Sequence, residues 1–210
     1  MSIKLTGATS GSIELDVPAA VSGGDISLTL PNGVGSAGQV LKNGNTAGTL
    51  EFAQGGRILQ VVQTSKTDVD SMTGTTFDDL GLSVTITPSS ATSKVLVFVY
   101  ASISSLASYD MKLRLLRGTT PISIGDTASN RARASTSLSF SWSTGAYASG
   151  TAAINFLDSP ATTSATTYKL QAASYSASTV IAINRGPNDT DLAEYEARTA
   201  SSMIAMEVAA

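Results

Sequence analysis

From residue 58 onward, apolar and polar residues alternate with a period of two in one stretch after another, and this pattern restricts the chain to a single class of fold. The stretches are ILQVVQT (58–64), LSVTIT (82–87), KVLVFVYASI (94–103), DMKLRLLR (110–117), SLSFSWS (137–143), TAAINFL (151–157), TTYKLQAAS (166–174), TVIAIN (179–184) and SMIAMEV (202–208). Successive side chains of an extended strand point to opposite faces, so alternation of this kind makes one face apolar and the other wet. Gly, Pro, Ser and Asn-Asp clusters punctuate the stretches, and no window carries a capped helical stripe. Short antiparallel strands at close spacing predict an all-β fold, an antiparallel β-sandwich of jelly-roll type.

Individual strands differ in a way that predicts their place. In 94–103, Val95, Val97 and Val99 share one face and Leu96, Phe98 and Tyr100 the other. Both faces are apolar, which predicts a central strand buried on both sides. Lys112 and Arg114 alternate with Leu113 and Leu115, and Lys169 and Gln171 with Tyr168 and Leu170, predicting one wet face each. Leu138, Phe140 and Trp142 are spaced by two and read as a set facing the core.

Residues 1–56 read differently. Short pieces such as SIELDV (12–17) and DISLTL (25–30) stand between turn residues, and PNGVGSAGQVLKNGNTAGTLEF (31–52) offers only isolated aliphatics. Ordering each residue costs about 1–2 kcal/mol, which so little apolar surface does not offset. The boundary falls near GGR (55–57), with 1–56 an attachment or shaft segment and 57–210 a β-sandwich head. The N-terminal segment is expected to borrow its core from identical copies around an axis, with Leu41 and Leu50 covered by neighbouring subunits.

Composition excludes several functions. The chain has 210 residues, 13 Lys and Arg against 16 Asp and Glu, and a formal charge of −3. It lacks the basic footprint that dominates nucleic-acid binding, so no nucleic-acid partner is expected. Charged residues make up 14% of it, and 31 Ser and 26 Thr take their place. At 42% hydrophobic it is too apolar for a disordered chain. The longest apolar run, VLVFVYA (95–101), is far short of the roughly 20 residues of a membrane-spanning helix, and MSIKLTGATSGS has no signal core. Neither membrane insertion nor export by a cleaved leader is expected.

Histidine and cysteine are both absent. This removes Ser-His and Cys-His catalysis, His- or thiolate-ligated zinc and disulfides, leaving carboxylate chemistry. DVDSMTGTTFDD (68–79) opens like a calcium loop, but Met72 stands at its fifth position and Gly74 comes one place late, so a turn-rich loop fits better. NDTDLAEYE (188–196) gathers Asp189, Asp191, Glu194 and Glu196 after the turn-forming RGPND, and these carboxylates read as solubilising a loop. Nothing displays the paired carboxylates of a glycosidase. GVGSAG (33–38) is followed by strand-like QVL, so it is no phosphate cradle. Arg131 and Arg133 in RARAS form a solvated face, with anion contact as the alternative. No catalytic, metal or cofactor site is expected. The candidates for receptor contact are Tyr109, Tyr147 and Tyr175 at strand ends and loops, with Asp189 and Asp191.

Two sets of segments resemble a known class. The N-terminal TSGSIELDVPAAVSGGDISLTLPNGVGSAGQVLKNGNTAGTLEF resembles a segment of tail-fibre and related virion proteins of tailed bacteriophages, especially those of aquatic bacteria. GGRILQVVQT, LSVTITPSSATSKVLVFV, MKLRLLRGTTPISIGD, YKLQAAS and SSMIAMEV are similar to the β-sandwich domain that often follows it. The resemblance implies a homotrimer on the virion exterior, held to other virion proteins by its N-terminal segment, and a non-enzymatic role in attachment to a host-surface glycan or protein. The alternatives are a capsid decoration or vertex protein and, from another class, a small polysaccharide-cleaving enzyme.

Overall fold

The computed structural model describes residues 3–6, 12–15, 28–36, 39–55, 57–106, 110–140 and 148–209. The chain divides into two compact units, Met1–Gly55 and Gly56–Ala210.

The first unit is built from two antiparallel pairs. β1 (Ile3–Thr6) pairs with β2 (Ser12–Leu15), and β3 (Gln39–Asn43) with β4 (Leu50–Gln54). The β3–β4 turn is closed by Gly44 N–H donating to Thr49 O at 2.8 Å and uses Gly48 at φ 80°, a left-handed conformation that glycine adopts without penalty. Of DISLTL, only residues 28–30 are described, and Thr29 forms a parallel bridge to Thr49. Val34, Val40 and Leu41 are exposed and Leu50 is half-buried, so these four aliphatics make no core within one chain.

The second unit is a sandwich of two antiparallel sheets. The first sheet runs β10 (Thr120–Ile122), β9 (Met111–Arg117), β13 (Thr166–Ala173), β7 (Asp78–Ile86), with β11 (Thr136–Leu138) also on β9. The second contains β5 (Ile58–Lys66), β15 (Ser201–Val208), β8 (Lys94–Ser105), β14 (Val180–Ile183) and β6 (Asp70–Thr73), with β12 (Ser149–Asp158) along the other edge of β8. The core follows from alternation. Leu80, Leu82, Val84 and Ile86 share the inner face of the first sheet with Met111, Leu113, Leu115, Tyr168 and Leu170, and all are buried in one core with Val95, Val97, Val99, Ile103, Ile154 and Met203 of the other. Each such side chain contributes about 1.5–3 kcal/mol through burial. Among the described residues there is no helix, and the fold is the antiparallel β-sandwich that the alternation implied.

One expectation needs correction, and another is met only in part of its stretch. β8 is central, but it is buried on one face only: Phe98 is 39% and Tyr100 55% exposed. Its sheet has a partner sheet on the valine side alone. Of the stretch 137–143, the strand covers Thr136–Leu138; Leu138 and Phe140 do pack on the core, whereas Trp142 lies outside the described residues.

Candidate functional site

β14 and β15 run in the same direction beside the same edge of β8. Ile183 pairs with Ile103 and Ser202 with Tyr100, and Asn184 N–H donates to Ser102 O at 3.0 Å. Asn184 and Ser201 therefore stand opposite neighbouring residues of β8. One strand row is interrupted there, and residues 185–200 loop out of it and return to nearly the register they left. A loop longer than about 12–15 residues that the sheet does not need is commonly one that carries function.

Asn184 holds the break. It is fully buried at φ 65°, a region in which Asn is favoured over most non-glycine residues. Its Nδ2 donates to Lys66 O at 2.8 Å and Asp68 O at 2.9 Å, and its Oδ1 accepts from Ser201 Oγ at 2.6 Å. Lys66 ends β5 and Asp68 lies in the gap before β6, so one side chain joins the interruptions of two adjacent strand rows. The loop then settles on the outer face of the sheet, where Thr199 Oγ1 bonds Ser102 Oγ at 2.8 Å and Ser104 Oγ donates to Arg185 O at 2.7 Å.

The loop is shaped by its own carboxylates. Glu196 Oε1 accepts from Asn188 N–H at 2.9 Å and Oε2 accepts from Thr190 N–H. Gly186 leaves room for this side chain: a Cβ there would lie 2.3 Å from the Glu196 carboxyl carbon and displace it. Asp189, at φ 54°, pairs with Arg198 at 2.6 Å. Asp189, Asp191 and Glu196 line a hollow of about 220 Å³, smaller than the roughly 300–1,000 Å³ usual for small-ligand sites. The sequence reading of these acids as merely solubilising misses Glu196 and Asp189, which tie the loop together.

Of the residues expected to contact a receptor, Asp189 and Asp191 share this loop. Tyr175 stands half-exposed on the β13–β14 connection, where Ser174 N–H donates to Gly74 O at 2.9 Å. Tyr109 and Tyr147 lie outside the described residues. Arg131 and Arg133 border an open cleft of about 690 Å³ with Lys112, Asp110 and Asp126, and Arg133 Nε donates to Gly125 O at 2.6 Å.

The other acidic groups serve the sandwich. Asp79 accepts from Lys169 Nζ at 2.8 Å and Gln171 Nε2 at 2.7 Å; burial opposes its charge, but these bonds win and lower its pKa. Asp68 pairs with Lys66 at 2.7 Å. The remaining parts of DVDSMTGTTFDD form β6 of the second sheet, a turn at Gly74 and the start of β7 of the first sheet, a connection that crosses between the two sheets. Arg117 Nη1 grips both oxygens of buried Asp158 at 2.8 and 2.9 Å, and Tyr168 Oη donates to Asp158 Oδ2 at 2.7 Å. Burial and that carboxylate push the phenol pKa far up. Glu207 points into the sandwich and accepts from Ser89 N–H at 2.8 Å, Ser89 Oγ at 2.7 Å and Gln60 Nε2 at 2.6 Å. Burial raises its pKa, yet bonds from Gln60, Ser89 and Ser93 outweigh that and hold it at about 2. Among the described residues no group of three acidic side chains is placed to hold a metal.

The geometry defines an antiparallel two-sheet sandwich with one long loop laid on a sheet face. No family model matches the chain, and no curated protein does. Among solved structures it is similar to infectious bursal disease virus strain Gx, with 13% identity, TM-score 0.36, and 97% of this chain and 46% of that one covered. T=1 particles derived from the same virus give 13%, 0.35, 98% and 44%, and its VP2 subviral particle 11%, 0.32, 81% and 42%. These are weak structural similarities to proteins of viral particles, and the chain spans less than half the length of each.

Proposed function

We propose that this chain is a non-enzymatic structural protein of a virion. The observation that carries the reading is the use of its acidic groups. Asp158, Glu207, Asp79 and Glu196 are all spent on hydrogen bonds that hold strands and loop in place. What the sandwich offers instead is a stable, charge-poor body with a broad apolar face, the attributes of a part made for assembly.

The finer reading rests on the resemblance of its segments to phage tail-fibre proteins. On it the protein is a homotrimeric short fibre or spike of a tailed bacteriophage, on the particle exterior. Residues 1–56 dock to other virion proteins, and head loops, with 185–200 foremost, contact a host-surface glycan or protein. Immunogold labelling of purified particles with antibody to this chain tests the role; labelled exteriors are expected, and bare particles overturn it. Binding of fluorescent protein to host cells then separates attachment from capsid decoration, which predicts no binding. New reducing ends after incubation with host polysaccharide would instead reveal an enzyme.

A further inference from the structure

The outer face of the second sheet is left bare by the sandwich. Register fixes which side chains share it. Leu157, Leu96, Met206 and Val61 stand opposite one another in a row across β12, β8, β15 and β5. The next row carries Asn155, Phe98, Ile204 and Gln63, and the one after it Ala153, Tyr100, Ser202 and Ser65. Val61 is 56% and Leu157 46% exposed, alongside the exposed rings of Phe98 and Tyr100. The loop 185–200 covers this face only toward Ser102 and Ser104. No ionised side chain interrupts the three rows. The outer face of the first sheet is the opposite case, with Asp79, Lys169, Gln171 and Arg114 joined in one polar network.

We propose that the apolar face is the contact between copies of this chain. Counted with the uncharged polar residues of its rows, its exposed and half-buried side chains present an area on the order of the roughly 800 Å² that each partner gives to a stable interface. A neutral, pleated face is compatible with its own image: two such faces pack about 10 Å apart without stripping water from any charge. A charged partner finds nothing there to pair with. The contact stands independently of the virion role; packed face to face, it joins two copies of the chain.

The test is the mass of the full chain in native solution across about 1–50 µM, for the native protein and for Phe98→Lys with Tyr100→Lys. Thr85→Lys, on the outer face of the first sheet, is the control. The native chain and the control are expected to be oligomers and the double variant a single chain with an unchanged far-ultraviolet spectrum. A second readout avoids any folding defect. In this cysteine-free chain, the cysteine of Tyr100→Cys is expected to react with a maleimide at least tenfold more slowly than that of Thr85→Cys at oligomer-forming concentration. A native chain that stays monomeric overturns the proposal and leaves the face to residues 1–55 or to another macromolecule. An oligomer that survives the double variant, or equal labelling rates, also overturns it, while the assembly itself stands.

Discussion

Asn184 occupies a position where three demands meet: a left-handed backbone, a buried site, and carbonyls of a neighbouring strand row in need of a donor. Replacing it with Ala strands two carbonyls and the Ser201 hydroxyl. The expected loss is about 2–4 kcal/mol, read as a lower urea midpoint with an unchanged slope. Gly81 is constrained in another way. At φ 69° it sits in a register irregularity where Leu80, Gly81 and Leu82 of β7 face Leu170 alone, and a Cβ would come within 2.9 Å of Asp70 Oδ2 and Lys66 Nζ. Glu207 sets a pH dependence. Its folded-state pKa of about 2 lies below the ordinary 4.5, so its stabilisation is complete above 4.5 and is lost as pH falls toward 2. Unfolding midpoints measured across that window are expected to fall steeply in the native protein and less steeply in Glu207→Gln. None of the three roles is legible in sequence, because each depends on what a distant strand brings alongside.

At the scale of elements, β8 and its neighbours show what pattern reading captures. The nine alternating stretches all contain strand, and β8, β9 and β13 begin and end within two residues of the expected bounds. Four-residue β6 and three-residue β10 are too short to display a period, and pairing with β14 and β9 respectively makes them strands. The interruption of the β14–β15 row makes a prediction of its own. Because Asn184 and Ser201 stand opposite adjacent residues of β8, replacing residues 186–198 by two glycines is expected to keep the strand signal and a cooperative thermal transition. Loop closure costs little when the ends already meet. A non-cooperative transition would show that the loop is part of the fold and not an addition to it. If the loop contacts a host, the same variant loses cell binding.

For the whole molecule, the division at Gly55 has an energetic consequence. Every side chain of the large apolar core comes from the second unit, so residues 57–210 expressed alone are expected to unfold cooperatively in urea. Residues 1–56 alone are expected to give no transition, since Val34, Val40 and Leu41 remain exposed. The surface is uneven at this scale as well. One sheet turns outward a network of ion pairs and amides, and the other turns outward aliphatic and aromatic side chains. That asymmetry is the basis of the proposed contact between copies.

The sequence by itself determined the strand class and the inward face of most strands, because alternation is a local property and burial must follow it. It also ruled out histidine and thiol chemistry by simple absence. Only the tertiary structure decided which apolar face of β8 would be covered, that Glu207 would point inward among donors, and that residues 185–200 interrupt one strand row. Two apolar faces are equivalent to a period of two, and a carboxylate tolerates burial only where other strands supply its hydrogen bonds. Those are relations between residues distant in the chain, and the folded sheets create them.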